Sequence, residues 1–275
     1  MNTVVIKVGG AFMQADELAL ELLEVIKQLQ KKLCVVLVHG GGPMVEELLA
    51  ALSMTSHKIA GLRVTPAEQM PYIAGALAGT ANKQLCGLAI KAGLNPVGLS
   101  LADGKMCIGS VLNPELGRVG SVVAGDPQLL KLLVSNEMLP IISSIGADPQ
   151  GQLLNVNADQ AATVIAQLLN AELILLSDVP GVLDANKALL SQLDGEQIAK
   201  LIHDGVIRDG MIVKVQAALT AAQSLGRSVT IASWKSATKL LGFLQNEAVG
   251  TLISPAPAAL TANSTSQNSP KTKAD

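Results

Sequence analysis

Short apolar runs that end in glycine alternate along this chain with longer segments of helical period, and that alternation constrains the fold more than any other feature. Thr3-Val-Val-Ile-Lys-Val8 has the length and β-branched content of a strand and stops at Gly9-Gly10. From about Ala15 to Lys31 the spacing is helical, with Leu18, Leu22, Val25, Ile26 and Leu29 on one face. Cys34 to Val38 reads as a second strand, closed by Gly40-Gly41-Gly42. Pro96 to Leu99, Leu139 to Ile145, Leu173 to Leu176 and Val229 to Ile231 are further strands. Strands alternating with helices predict an α/β sandwich on a mostly parallel sheet. Gly104 to Val123 breaks the pattern with short, turn-rich pieces, which predicts antiparallel strands or a hairpin. No internal repeat is visible.

Composition narrows the function classes. The 275 residues suit one large domain or two intimately joined lobes, and 49% of them are apolar, enough for a substantial core. Only Phe12, Tyr72, Trp234 and Phe243 are aromatic, which argues against a base-stacking nucleic-acid platform. With 20 basic and 22 acidic side chains there is no global pull toward nucleic acid or an anionic membrane. Cys34, Cys86 and Cys107 sit in apolar surroundings without CxxC spacing, so they read as three buried thiols in a reducing compartment, and no metal cluster is apparent. Neither a signal-peptide plan nor an apolar stretch of roughly 18 residues is present, and the expectation is a soluble, cytoplasmic protein.

Local rules mark several helix starts. Asp126 caps a helix with Pro127 at its first position, and Thr65-Pro66-Ala67-Glu68 has the form of a capping box. Pro71 conflicts with that box because it lacks the N–H an interior turn needs, so a kink or a delayed start is expected there. Residues 254–275 are rich in Pro, Ala, Ser, Thr, Asn and Lys without apolar period and are expected to be a disordered tail.

The chain has no GxGxxG after a strand. Gly205-Val-Ile-Arg-Asp-Gly210 has Walker spacing but continues Met211-Ile212, which disfavours a P-loop enzyme. Two strands instead end in glycine clusters, and in a parallel sheet such ends share one edge, where backbone N–H groups can approach an anion. Either cluster alone is more simply a tight turn. Lys7 adds weight because it interrupts an apolar strand, although a lysine at a strand end can also snorkel. His39 reads as a structural core residue. Asn157 caps the helix over Ala161 to Leu169, with Gln160 closing the box and Asp159 at the positive dipole end; Asn155 is left without a structural role. Lys214 lies early in a helix that starts near Asp209, where it opposes the dipole unless an anion binds there.

Six stretches in order resemble one family. They are Val38-His-Gly-Gly-Gly42, Gly61-Leu-Arg63-Val-Thr65, Gly75-Ala-Leu-Ala-Gly-Thr-Ala-Asn-Lys83, Asn155-Val-Asn-Ala-Asp159, Leu175-Leu-Ser-Asp178 and Asp209-Gly-Met-Ile-Val-Lys214. Together they look like the motifs of the acetylglutamate kinases, within the amino-acid-kinase superfamily, over about residues 3 to 253. The resemblance implies an open αβα sandwich in one amino-acid-kinase domain, 1–253. Its first lobe, about 1–175, would hold acetylglutamate and the dimer contact, and the second, about 176–253, would hold ATP. It implies ATP-dependent phosphorylation of the side-chain carboxylate of N-acetyl-L-glutamate, the second step of arginine biosynthesis, with Mg²⁺ carried mainly by the nucleotide phosphates.

Carried over by position, Lys7 and Lys214 would contact the transferring phosphoryl group, joined by the backbone N–H groups of Gly10 and Gly41. Asp159 would hold both lysines, Arg63 and Asn155 would grip acetylglutamate, and Gly41 and Gly42 would border it. Asp178, Val179, Pro180, Gly181, Val182 and Leu183, with Val206, Ile207 and Arg208, would line the ATP site. No protein-held metal, nucleic acid or membrane partner is implied. A first strand at Thr3 leaves no room for the N-terminal helix of arginine-inhibited, hexameric members, so an arginine-insensitive homodimer is expected. The rivals are a superfamily kinase for another acid, such as glutamate or aspartate, and a non-catalytic sensor that keeps the fold.

Overall fold

A computed structural model describes residues 2–245 and 247–255. In chain order its strands are β1 (Thr3–Val8), β2 (Cys34–His39), β3 (Lys58–Ile59), β4 (Leu62–Arg63), β5 (Pro96–Ser100), β6 (Cys107–Val111), β7 (Val119–Ala124), β8 (Leu139–Ser143), β9 (Ile145–Ala147), β10 (Leu153–Val156), β11 (Glu172–Ser177), β12 (Gln192–Leu193), β13 (Val229–Ser233) and β14 (Thr251–Ile253). The helices are α1 (Asp16–Leu29), α2 (Gly42–Ala51), α3 (Met70–Ala74), α4 (Asn82–Lys91), α5 (Gln128–Ser135), α6 (Ala158–Leu169), α7 (Gly195–His203) and α8 (Gly210–Leu225). A π-helical run, Gly75–Ala81, joins α3 to α4 without a break.

Eight strands form the main sheet in the order β12-β14-β13-β11-β1-β2-β8-β5. All adjacent pairs are parallel except β13 with β14. The alternation of a strand's side chains splits the core into two layers. Val4, Ile6 and Val8 pack with α1, α4 and the 3-10 stretch Trp234–Gln245. Val5, Val36, Val38, Leu173 and Leu175 pack with α5, α6, α7 and α8 on the other face. This is the α/β sandwich that the alternation of runs predicts. Beside it β6, β7, β10 and β9 form a second sheet, in which β6 and β7 pair antiparallel with Ile108 opposite Val123, as expected for the hairpin.

From central β1 the chain moves outward through β2 on one side and later returns to place β11 on the other. The carboxyl ends of β1 and β11 therefore meet at the point where strand order reverses, the usual binding crevice of open α/β sheets.

Several local expectations shift. Leu139 to Ile145 is two strands, β8 and β9, which belong to different sheets. The Thr65 capping box does not form: the Thr65 hydroxyl donates to the Arg63 carbonyl, and a short 3-10 turn (Ala67–Gln69) precedes a helix start delayed to Met70, which puts Pro71 in the first turn. Gln160 does not close a box with Asn157, since its amide donates to the Ser121 hydroxyl. Asp126 accepts from the Gln128 N–H, so α5 starts one residue after Pro127. Cys34 is half-buried, while burial raises the Cys86 thiol and pushes that of Cys107 up to about 12. Of the expected tail, Ser254 and Pro255 are described; 256–275 lie outside the described residues.

His39, fully buried at the end of β2, is polar core rather than an exposed base. Its Nδ1 lies 2.8 Å from the Gly40 carbonyl oxygen, and the Asn82 amide Nδ2 lies 3.0 Å from its Nε2. Burial lowers its pKa from 6.5 to about 4, so the folded ring is neutral at physiological pH. The unfolded chain takes up this proton at higher pH than the folded one, so stability falls as pH drops through that interval. Urea unfolding at pH 7 and pH 5 should show a loss of about 2 kcal/mol traceable to this ring. The loss should vanish from the difference between the two pH values in a His39→Asn variant; an unchanged difference would remove His39 as its source.

Candidate active site

Lys7 is placed by strand parity. Its Cα stands opposite Val38 and Leu175, both in the core layer that faces α6 and α8. On that side Lys7 Nζ meets Asp159 Oδ1 at 2.8 Å. Asp159 stands in the first turn of α6, which the Asn157 side chain caps by accepting from the N–H groups of Asp159 and Gln160 at 2.9 and 3.1 Å. Lys214, in the second turn of α8, reaches the end of β11, where its Nζ lies 2.6 Å from Asp178 Oδ1. That hydrogen bond holds the Asp178 carboxyl below its ordinary range. Asp159 thus pairs with Lys7 alone, and the expectation that it holds both lysines is corrected: the carboxylate within reach of Lys214 is Asp178, one residue past β11.

Lys7, Lys214, both aspartates, Gly9, Gly10 and Trp234 line one cavity of about 270 Å³. Two ammonium groups from distant segments of the chain thus line the same cavity.

A second cavity of about 210 Å³ is lined by Gly40, Gly41, Gly42, Arg63, Asn155 and Ala158, among others. The nearly buried Arg63 side chain is held from three sides. Its Nη1 pairs with Glu46 Oε1 at 2.9 Å and donates to the Ser56 hydroxyl, and its Nη2 donates to the Gly42 carbonyl at 3.2 Å. The guanidinium in turn keeps the Glu46 carboxyl below its usual range. Asn155 is fixed through Thr65, whose hydroxyl oxygen accepts from its Nδ2 at 3.0 Å and donates to the Arg63 carbonyl at 2.9 Å. Sequence reasoning gave Glu46 no role and Thr65 only that of a helix cap. Thr65 is a wholly buried hydroxyl, a signal visible only once the fold places it beside Asn155.

The two cavities adjoin. Parallel pairing sets Val8 opposite His39, so the glycines that follow each strand are neighbours. They are so close that a Cβ on Gly10 would lie 2.4 Å from Pro43 Cδ and 3.1 Å from the Gly42 nitrogen. Ala158 borders one cavity and its neighbour Asp159 the other, so the amino end of α6 stands between them.

The residues expected for the nucleotide divide. Asp178 lines the first cavity. Val182 is core, with its N–H donating to the Thr251 hydroxyl, and Gly181 packs against that same threonine. Pro180 borders a separate small cavity, Val179 is half-buried beside Ser177, and Leu183 bridges to Leu189. Val206 is half-buried, Ile207 is core, and the exposed Arg208 donates to the Gly205 carbonyl. Apart from Asp178, none of these is brought to the wall between the two lysines.

An open α/β sandwich that gathers two ammonium groups and two glycine loops at its strand ends has the build of a protein that handles phosphate-like anions. Residues 2–233 match the model of the amino acid kinase family. The chain is 52% identical over 254 residues to an acetylglutamate kinase of Aliivibrio fischeri, covering 92% of this chain and 98% of the relative. To one of Vibrio cholerae it is 52% identical over 257 residues, covering 93% and 98%. The carbamate kinase of Giardia lamblia bound to AMP-PNP superposes with a TM-score of 0.59 at 19% identity, covering 92% of this chain and 98% of that one. The chain belongs to the amino acid kinase family, and within it to the acetylglutamate kinases.

The contact between glycine loops leaves no space for a side chain. Gly10→Ala should cost about 1–3 kcal/mol in urea unfolding, the usual penalty of overpacking against a rigid ring; unchanged stability would show that the loops can part freely.

Proposed function

We infer that this chain transfers the γ-phosphoryl group of ATP to the side-chain carboxylate of N-acetyl-L-glutamate, giving N-acetyl-L-glutamyl 5-phosphate, the second step of arginine biosynthesis. The observation that carries this reading is the cavity holding both Lys7 and Lys214, set directly against the glycine loop of the Arg63–Asn155 cavity.

A carboxylate acceptor, with a reference pKa of about 4.3, is already ionised at neutral pH, so no general base is needed. The obstacle is repulsion between an anionic acyl oxygen and an anionic phosphoryl group approaching in line. In this reading Lys7, Lys214 and the N–H groups of Gly10 and Gly41 neutralise charge on the equatorial oxygens, and Asp159 keeps the Lys7 ammonium in place. Arg63 and Asn155 grip the acceptor between Gly41 and Gly42, the planar guanidinium being suited to a carboxylate. Mg²⁺ on the nucleotide phosphates supplies further neutralisation when bound. The cavity fits such a load: its two ammonium groups suit phosphate oxygens, and Asp159 and Asp178 are each already paired with a lysine.

The lobes then divide the work, with residues 1–175 holding the acceptor and 176–253, from Asp178 to Leu183 and Val206 to Arg208, holding the nucleotide. Homodimerisation is part of the reading and finds support at β5, the last strand of the main sheet, beside which α4 exposes Ile90. Cytoplasmic residence goes with the pathway; among the described residues no helix is long and apolar enough to cross a membrane.

A coupled ADP-release assay tests the substrate directly: turnover with free glutamate and none with the acetylated form would overturn the assignment, and binding of both substrates without transfer would indicate a sensor. Lys7→Ala and Lys214→Ala should each lower kcat by about 100-fold or more with the circular dichroism spectrum intact. Near-normal turnover in either would contradict the phosphoryl clamp. Arg63→Ala should raise KM for acetylglutamate by about 10- to 100-fold, the worth of a charged hydrogen bond, with KM for ATP little changed. A rise confined to ATP would place the acceptor in the wrong cavity.

A further inference from the structure

We propose that His39, through its hydrogen bond to the Gly40 carbonyl, is a positioning residue that locks the Gly40–Gly41 peptide so that the Gly41 N–H faces the anion site. The inference deepens the phosphotransfer reading and rests on it, because that reading gives the Gly41 amide a phosphoryl oxygen to hold.

The geometry leaves one assignment of protons. A carbonyl oxygen only accepts, so the Nδ1 that lies 2.8 Å from Gly40 O carries a hydrogen. Nε2 is then an acceptor, and the Asn82 Nδ2–H donates to it at 3.0 Å. The orientation of Asn82 is fixed independently: its Oδ1 accepts from the Lys83 ammonium at 3.1 Å, and its Nδ2 also donates to the Ile141 carbonyl of β8 at 2.8 Å. Each polar atom of this buried cluster has a role that only one tautomer satisfies.

A trans peptide is planar, so its C=O and the following N–H point in opposite directions. Drawing the Gly40 carbonyl toward the buried imidazole therefore turns the Gly41 N–H outward, toward the cavity that Gly40, Gly41 and Gly42 line. That N–H has no hydrogen-bond partner among the described residues. Without a fixed carbonyl, a peptide between two glycines has little side-chain bulk to stop it turning over. A donor that helps only when aimed in advance would then be lost for part of the time, an effect on the reacting state more than on substrate affinity.

Two substitutions separate the two ring nitrogens. Asn at 39 can place an amide N–H where Nδ1 stands, whereas Gln reaches the Nε2 position and offers nothing to Gly40. His39→Gln should lower kcat by 10-fold or more while KM for ATP and for acetylglutamate changes by less than threefold. His39→Asn should recover most of that loss despite lacking the Asn82 contact. Equal kcat in the Gln variant and the wild type, or equal losses in both variants tracking their loss of stability, would overturn the lock and leave a merely structural histidine. Nitrogen-15 NMR of the ring in the wild-type protein supplies a check that needs no variant to fold: the Nδ1–H tautomer is expected, and an Nε2–H ring would end the proposal. A wild-type protein that transfers no phosphoryl group would instead sink the functional reading, with the tautomer still telling whether the Gly40 peptide is held.

Discussion

An ammonium group at the end of the central strand of a buried sheet is tolerable only with a counter-charge at hand, and the arrangement at this sheet edge follows from where that counter-charge lies. The Lys7 side chain is 15% exposed and sits 2.8 Å from Asp159. Breaking such a largely buried pair by removing one partner typically costs several kcal/mol. The pair therefore ties the start of α6 to the end of β1, and with it the whole amino end of that helix. Because α6 is fixed there, Ala158 and Asp159 face two different cavities, and the positive end of the helix dipole stands between them.

The site divides its labour between side chains and backbone. The cations come from elements of the sandwich: Lys7 from a strand, Lys214 from a helix packed on the same face. The candidate amide donors come from the glycine turns between elements, and strand register brings those turns together. Neither set could be moved without the other, since one residue of slip in β1 would send Lys7 into the opposite core layer.

Much of this was legible in the sequence because it is written in periodicity and in local turn chemistry. Glycine-closed strands, the α1 face, the Asn157 cap and the hairpin after Gly104 depend on neighbours in the chain. Legibility ends where partners are distant. β12 and β14 have two and three residues, too few to show a period, yet they extend the main sheet. The run from Leu139 to Ile145 carries one apolar pattern but serves two sheets. The carboxylate that holds Lys214 could not be chosen from sequence either, since both Asp159 and Asp178 are distant from it in the chain and only the fold decides which one Lys214 meets. The role of Thr65 was misread as a helix cap for the same reason: its partner Asn155 is 90 residues away.

The π-helical run between α3 and α4 gives this architecture a phase adjustment. Leu77, inside the run, packs so tightly on Gly41 that a Cβ there would come within 2.6 Å of its Cδ2, while Asn82, just after the run, reaches His39. Both thus bear on one corner of the glycine turn. In a regular α-helix each residue advances the side-chain direction by about 100°. Excising a single residue from the run would swing Asn82 by roughly that angle away from the imidazole. Homologous sequences should consequently vary in identity along this stretch more readily than in its length.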